Sequence, residues 1–363
     1  MTVEPAQGQE IVVRLAGPAE RAEQARLSGR CFKKPVTAEA LAWRYDQSPH
    51  GASIALVSGP VGTDAVCGYA CGPRLVVPRG RRTDAATVGE TGDVMTHPSW
   101  RKLGLFRALD ARAMQEARAR GWPFVYGLPN RRSAHIFLQM GWRQAGTIRA
   151  HTHWLESGTR ARSLRRREGR WRALTTPFSA WLGARARQAL DAGATQAVEW
   201  SSFPSEIEPL VLRLEAAHAL VLRRDPAWLD WRFFRGPSRA FRAFGVLRSG
   251  ALVGWFVLQK PSVDGLAWLV DAGALDEQAW SALGAQALRI AREAGACAVR
   301  ANAIDGSPWA ARLAAFGFQP PRARDHLSVI VHLHDEGHPV AREALDASRW
   351  WFTDADRDDE TMG

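Results

Sequence analysis

Residues 89–104 read GETGDVMTHPSWRKLG and hold the residue types that a phosphate group requires. The pattern is a β-strand, a proline-marked turn and a basic loop that runs into the start of a helix. Backbone N–H groups at a helix N-terminus lack partners within the helix and sit at the positive end of its dipole. Arg101 and Lys102 add formal charge there, and Gly104 carries no Cβ to hold a ligand off the backbone. An Arg-Lys-x-Gly turn suits any surface, so the assignment depends on the residues downstream of it. The other reactive side chains form weaker patterns. Cys67 and Cys71 lie four apart in a strand-like run, which is neither a zinc-finger nor a redox spacing, and Cys31 and Cys297 stand alone. All four read as reduced thiols. His97 and His135, near the loop, read as solvated or hydrogen-bonded. His332 and His334 would share a strand face, but His338 falls beyond Asp335-Glu336-Gly337 in a turn, so no metal is expected.

The elements that would position this loop are set by periodicity. Residues 11–16 read as a strand and 18–29 as a helix, and Thr37 caps a second helix through Trp43-Arg44-Tyr45. Residues 53–58 and 65–77 form a hairpin, and 90–96 the next strand. Residues 104–120 read as a helix with Leu105, Leu109, Ala113 and Ala117 along one face, ended by Gly121. A short strand at 124–127, a helix at 131–140 and a strand at 144–155 complete the unit. Hairpins followed by a strand–helix–strand unit predict a mixed α/β (α+β) sheet with helices on both faces, not a doubly wound Rossmann fold.

The same order then starts again: a strand at 197–200, a helix at 204–218, a helix capped by Asp225-Pro226, a hairpin at 241–248 and 252–259, a strand at 266–271, a helix at 277–294, a strand at 298–301, a helix at 308–316 and a strand at 327–333. Three marks align. Trp43-Arg44-Tyr45 matches Trp231-Arg232-Phe233, Cys67-Gly68-Tyr69 matches Val253-Gly254-Trp255, and Gly141-Trp142 matches Gly317-Phe318. The second copy carries Asp271 to Glu277, an acidic stretch, where the first has its basic loop, so a second phosphate cradle is not expected. The sequence divides into 1–156, a connector at 157–192, 193–337 and a tail at 338–363. In the tail, Trp350-Trp351-Phe352 is expected to pack on the body, and Asp354, Asp356, Asp358, Asp359 and Glu360 to pair with the connector.

Composition limits the partners. The chain has 363 residues, 46% hydrophobic and 23% charged, enough for two cores of ordinary size. Of the formal net charge of +11, residues 160–172 supply seven Arg against Glu168. The basicity is therefore local, which argues against a whole-protein nucleic-acid binder. Thr176-Pro177 starts a helix with Phe178, Trp181, Leu182, Ala189 and Leu190 on one face, read as a connector that packs against both halves. A basic amphipathic helix at 160–182 touching a membrane surface is the sharper reading of the same residues. No stretch is apolar enough to span a membrane. The first ten residues show no leader pattern, so a cytoplasmic location is expected.

With the downstream residues in view, the loop becomes specific. Residues 11–150 resemble the GNAT superfamily of acyl-CoA-dependent N-acyltransferases. The family's pyrophosphate loop, Arg/Gln-x-x-Gly-x-Gly/Ala, is matched by Arg101, Lys102, Leu103, Gly104, Leu105 and Phe106, with Phe at the last position. The family's second motif appears as Asn130, Ala134, Phe137 and Gly141-Trp142. The second half resembles a degenerate copy, so the whole is similar to tandem-GNAT proteins, some of which acylate nucleotide-linked amino sugars. The resemblance implies acetyl-CoA or another acyl-CoA as co-substrate. Backbone at a bulge around Val94, Met95 and Thr96 would hold the pantetheine and polarise the thioester carbonyl. It implies a base near that strand. Glu90 is preferred, Asp93 is the second candidate (strand alternation turns it to the other face), and no single base is the third. The family's usual acid is Tyr where this chain has Phe137. Tyr126, a water, or departure of the unprotonated thiolate fills that role. The expected acceptor is a small-molecule primary amine, with oligomeric state open. The alternative is a scaffold of weak activity that binds an anionic surface through its Arg-rich connector. Aminoacyl-tRNA-dependent transfer is a third reading, opposed by the CoA loop.

Overall fold

The computed structural model describes residues 10–33, 35–156, 158, 161, 164, 195–238, 240–320 and 326–357. Nearly all of the expected connector, with Arg165–Arg167 and the helix expected after Thr176, lies outside the described residues, as do Asp358, Asp359 and Glu360. Ala161 and Leu164, at the start of that stretch, pack on Cys297 and Ala298.

The first half follows the expected order. Strand β1 (Ile11–Leu15) leads through a 3-10 turn into α1 (Arg21–Cys31) and α2 (Ala38–Asp46), whose N-cap Thr37 accepts from the Ala40 N–H. Strands β2 (Ile54–Pro60), β3 (Cys67–Pro78) and β4 (Ala86–Thr96) form antiparallel neighbours. Helix α3 (Leu105–Ala119), strand β5 (Phe124–Gly127), helix α4 (Arg131–Leu138) and strand β6 (Arg143–Trp154) come next. Helix α3 buries Leu105, Leu109, Ala113 and Ala117 as the spacing of four requires, together with Ala108 and Met114. Beyond residue 194 come β7 (Thr195–Trp200), β8 (Leu220–Leu222), β9 (Phe241–Arg248), β10 (Ala251–Gln259), β11 (Leu266–Ala274), β12 (Ala298–Ile304) and β13 (Leu327–Leu333). Their main helices are Glu208–Ala217, Glu277–Glu293 and Pro308–Ala315.

Among the described residues the sheet has 14 strands, 12 of them in the order β1-β2-β3-β4-β5-β13-β6-β12-β11-β10-β9-β7. The order is symmetric about the central antiparallel β13–β6 pair. β13, the last strand of the second half, lies against β5 of the first. β6, the last strand of the first half, lies against β12 of the second. The two halves therefore exchange their final strands, and the sheet crosses from one to the other without an edge. A mixed sheet flanked by helices, repeated within the chain, is the architecture expected from the sequence.

Several elements depart from expectation. The strand predicted at 90–96 begins at Ala86. The short strand β8 and the two-residue strand β14 (Trp350–Trp351) pair in parallel, and β8 also extends β3 at Val76–Pro78. Two or three residues per strand are too few to show a period. Helix Pro339–Ala344, capped by His338, lies in what was read as a tail. The tail is core: Trp350, Trp351 and Phe352 are 0%, 0% and 1% exposed. Asp354 and Asp356 are fully buried and pair within the body, not with the connector. Among the described residues no helix is long and apolar enough to cross a membrane.

Candidate active site

The basic loop runs into a helix where the sequence places it. His97 caps the 3-10 turn Pro98–Trp100, and the chain then turns through Arg101–Gly104 into α3. Gly104 is the N-cap, in the left-handed region at φ +78°, with no side chain to cap the helix. A Cβ built there would meet nothing within 4 Å, so glycine is required for its backbone angle rather than for space. Lys102 is also left-handed, at φ +67°. Arg101 and Lys102 are exposed, and the Arg101 Nε donates to the Thr96 carbonyl at 3.3 Å. Leu103 and Phe106 are half-buried against the α3–sheet core, which also holds Leu105. The helix thus presents uncapped first-turn N–H groups to solvent beside two cations.

Strand β4 leads into this loop. It pairs with β5 only at Gly89–Val125, Glu90–Tyr126 and Thr91–Gly127, and then the two strands part. On its other side, Gly68 faces Met95 and Ala70 faces Gly92, so Tyr69 of β3 stands opposite two residues, Asp93 and Val94. This is a β-bulge, with Asp93 left-handed at φ +49°. Asp is among the few side chains that tolerate this conformation. The splay and the bulge leave backbone of the Gly92–Thr96 edge unpaired by β5, beside the cradle. The side chain of Met95 is buried, and the Thr96 hydroxyl meets the Cys67 thiol at 3.1 Å.

The bulge corrects the expected alternation. Its extra residue resets the face, and Glu90 and Asp93 line the same pocket. The Asp93 Oδ2 accepts from Arg44 and, at 2.6 Å, from the Tyr45 hydroxyl, so this carboxylate holds the bulge to the end of α2. Glu90 is half-buried on the pocket wall. Tyr126, the candidate acid, is fully buried and absent from the pocket lining. Its hydroxyl donates to the Asp356 carbonyl at 3.1 Å and also lies against the Glu90 carboxylate, so it sits behind the pocket wall that Glu90 lines. Phe137 is 3% exposed and packs edge-on to Phe106 and Trp142 at 5.0 and 5.1 Å. Asn130 accepts from the Ser133 N–H at 3.1 Å and starts α4. The His334 Nδ1 donates to the Trp122 carbonyl at 2.9 Å, and its ring meets that of His332 at 5.1 Å.

The pocket spans about 540 Å³, its open mouth included, and lies between the halves. Trp43, Arg44, Tyr45, Arg74, Glu90 and Asp93 come from the first half. Trp228, Trp231, Arg232, Ala355 and Arg357 come from beyond residue 194. The repeated motifs meet here. The rings of Trp43 and Trp231 stack at 4.7 Å, and each indole N–H donates to the other's backbone carbonyl, at 3.1 and 3.2 Å. The second half differs at the corresponding positions. Its helix Glu277–Glu293 starts at Asp276, whose carboxylate accepts the Ala279 N–H at 2.7 Å and pairs with Arg248. Trp255 pairs regularly with Gly273, and the only register shift between β10 and β11 lies farther along, at Val257–Leu258. β11 and β12 also part, after Trp268–Arg300, but the gap is bridged. The Thr353 hydroxyl donates to Asp271 at 2.8 Å, and Asp354 accepts from the Asn302 backbone and side chain at 2.7 and 2.6 Å.

Residues 12–145 match the family model described as acetyltransferase (GNAT) domain. This part of the chain is similar to that family over about a third of the chain's length. Solved structures share the fold over most of the chain. A GCN5-related N-acetyltransferase from Kribbella flavida superposes with a TM-score of 0.62 at 14% identity, covering 91% of this chain and 73% of its own. One from Anabaena variabilis gives 0.60 at 13%, covering 89% and 72%. Saccharomyces cerevisiae N-myristoyltransferase with bound myristoyl-CoA gives 0.58 at 12%, covering 93% and 84%. At such identities these likenesses show the fold. No curated protein matches the sequence significantly.

The GNAT motif residues sort into two groups. Arg101 to Phe106 and the β4 edge come together at the mouth of the splay, whereas Tyr126 and Phe137 are core. Arg74, Trp228, Ala355 and Arg357 were missed as pocket residues. Only the Trp-Arg-aromatic repeat signalled where this pocket would form, because its two copies meet there.

Proposed function

We propose that the protein transfers an acyl group, acetyl in the simplest case, from acyl-CoA to the primary amine of a small molecule. The observation that carries this reading is the junction of three features on one strand: the splay after Thr91, the bulge at Asp93–Val94 and the uncapped glycine start of α3. In this reading the first-turn N–H groups with Arg101 and Lys102 bind the pyrophosphate, and the edge at Val94, Met95 and Thr96 binds the pantetheine and polarises the thioester carbonyl. Leu103, Leu105 and Phe106 seat the loop, while Asn130 and Phe137 shape the adjoining helix. The amine enters from the pocket and loses a proton to Glu90, directly or through a water. Asp93 positions the bulge. With Phe137 unable to donate a proton, the thiolate leaves unprotonated or takes a proton from water, and alignment carries more of the rate.

The pocket's aromatic walls suit a sugar ring, and a nucleotide-linked amino sugar is the acceptor this reading favours. Residues 1–156 hold the acyl donor and the chemistry, and 193–337 supply the acceptor side. The test is acetyl-CoA binding by calorimetry followed by CoA release on a panel of amines, with Glu90→Gln alongside. The expected result is unchanged acetyl-CoA affinity and a kcat lower by roughly 10²–10³ in the variant, with loss of the acidic limb of the pH profile. An effect below tenfold would remove Glu90 as the base, and no acetyl-CoA binding at millimolar concentration would remove the whole reading.

A further inference from the structure

Part of the pocket wall is made by Ala355 and Arg357 of the C-terminal segment. Asp356 is fully buried and bridges two arginines, Arg74 of β3 at 2.9 Å and Arg224. The carbonyls of Ala355 and Arg357 accept from the Arg232 Nε at 3.2 Å and Nη2 at 3.0 Å. Arg74 is 4% exposed, lies 3.8 Å over the Trp228 ring, and keeps a buried Nε that has no acceptor among the described residues. An unmet buried donor at a pocket wall calls for a partner. The lining carries four guanidinium groups, on Arg44, Arg74, Arg232 and Arg357, against two carboxylates, Glu90 and Asp93. The buried Asp354 and Asp356 stand behind this wall and do not enter the lining.

From this we infer that the acceptor amine also carries an anionic group, a carboxylate or a phosphate, and that the C-terminal segment reads it. The inference rests on the acyltransferase reading above and deepens it. The ammonium end is drawn to Glu90, where it must become neutral, and the anionic end accepts from Arg74 and Arg357. A guanidinium presents parallel donors to either oxyanion. Arg357 is a specificity-determining residue. Its side chain is 14% exposed and braced by Asp354 at 3.2 Å, so replacing it leaves the fully buried Asp356 cluster intact.

The test uses the full chain and amines matched in pairs: glucosamine against glucosamine 6-phosphate, and phenethylamine against phenylalanine. The pairs separate phosphate from carboxylate. The expected result is at least a tenfold higher kcat/KM for the anionic member of one pair. Arg357→Met should abolish that preference through KM while acetyl-CoA affinity stays unchanged, and Arg357→Lys should restore part of it. Equal or better turnover of the uncharged members, or a preference that survives Arg357→Met, overturns the inference and leaves the acyltransferase reading standing. Acetyl-CoA binding without transfer to any of the four overturns the pocket as this acceptor site. A wild type that does not bind acetyl-CoA fails at the earlier step, so the two failures are distinct.

Discussion

Phe106 and Phe137 depart from the GNAT pattern at two positions, and the structure joins the departures. The loop position that is usually small carries a ring that packs edge-on to Phe137 at 5.0 Å and lies 6.2 Å from Tyr69. Each side chain gives the other its packing partner. The resemblance aligns both residues with its motifs. It did not reveal their contact, which depends on how α3 and α4 cross the sheet. Phe106→Ala and Phe137→Ala, combined in a double-mutant cycle by urea denaturation, should couple by about 1 kcal/mol. Additive losses would show that the two departures are independent. Asp93 carries a similar lesson. A carboxylate on a strand reads as an alternating residue, and only the bulge, fixed by Arg44 and Tyr45, turns it beside Glu90.

At the scale of elements, most of the fold was readable from local pattern: the apolar face of α3, the caps at Thr37 and Asp225, and the hairpins. The exchange of β6 and β13 was not. Nothing in the local pattern of either strand names its neighbours. Pairing is decided by which open edge each strand reaches. The exchange carries a prediction. Residues 1–156 alone would leave β5 without its outer neighbour and β6 without either of its own, and residues 195–363 would leave the corresponding gaps. Exposed edges of this kind drive association. Each fragment should be insoluble when expressed alone, and the two should copurify when expressed together. A soluble, cooperatively unfolding fragment from either side would contradict the exchange.

Across the whole molecule, titration links burial to acid stability. Burial lowers His153, His218 and His332 to about 4, and lowers His50 and His334 as well. A histidine held neutral contributes stability above its unfolded value near 6.5 that is lost as pH falls toward 4. Burial raises Asp110 to about 6 and also raises Asp271 and Asp354. Those carboxyls act in the opposite sense, because the native state keeps protons that the unfolded chain has released. The three histidines at about 4 bind fewer protons than they do in the unfolded chain between about pH 4 and 6, so their own contribution to stability rises with pH across that window. His218→Gln should lessen the drop in urea midpoint from pH 7 to pH 4.5, and an unchanged drop would refute that contribution. The contacts that hold the C-terminal segment also belong to this scale. Arg74 and Asp356 pair across 282 positions of sequence, a separation over which no periodicity operates.

The carboxylate of Asp276 has a thermodynamic consequence. Two helix starts of one design sit in one chain. The start at Gly104 is open, and under the proposed function the anion that fills it would come from solution, so that stabilisation would vary with the anion's concentration. The start at Asp276 is satisfied by the chain itself, and the neighbouring cleft is bridged by Thr353 and Asp354. A tethered group is present at an effective concentration that dilution does not change. Under the proposed function one half would be a saturable receptor whose firmness tracks the supply of its donor. The other is permanently saturated by its own sequence and keeps its wall of the shared pocket in place whether the donor is abundant or scarce.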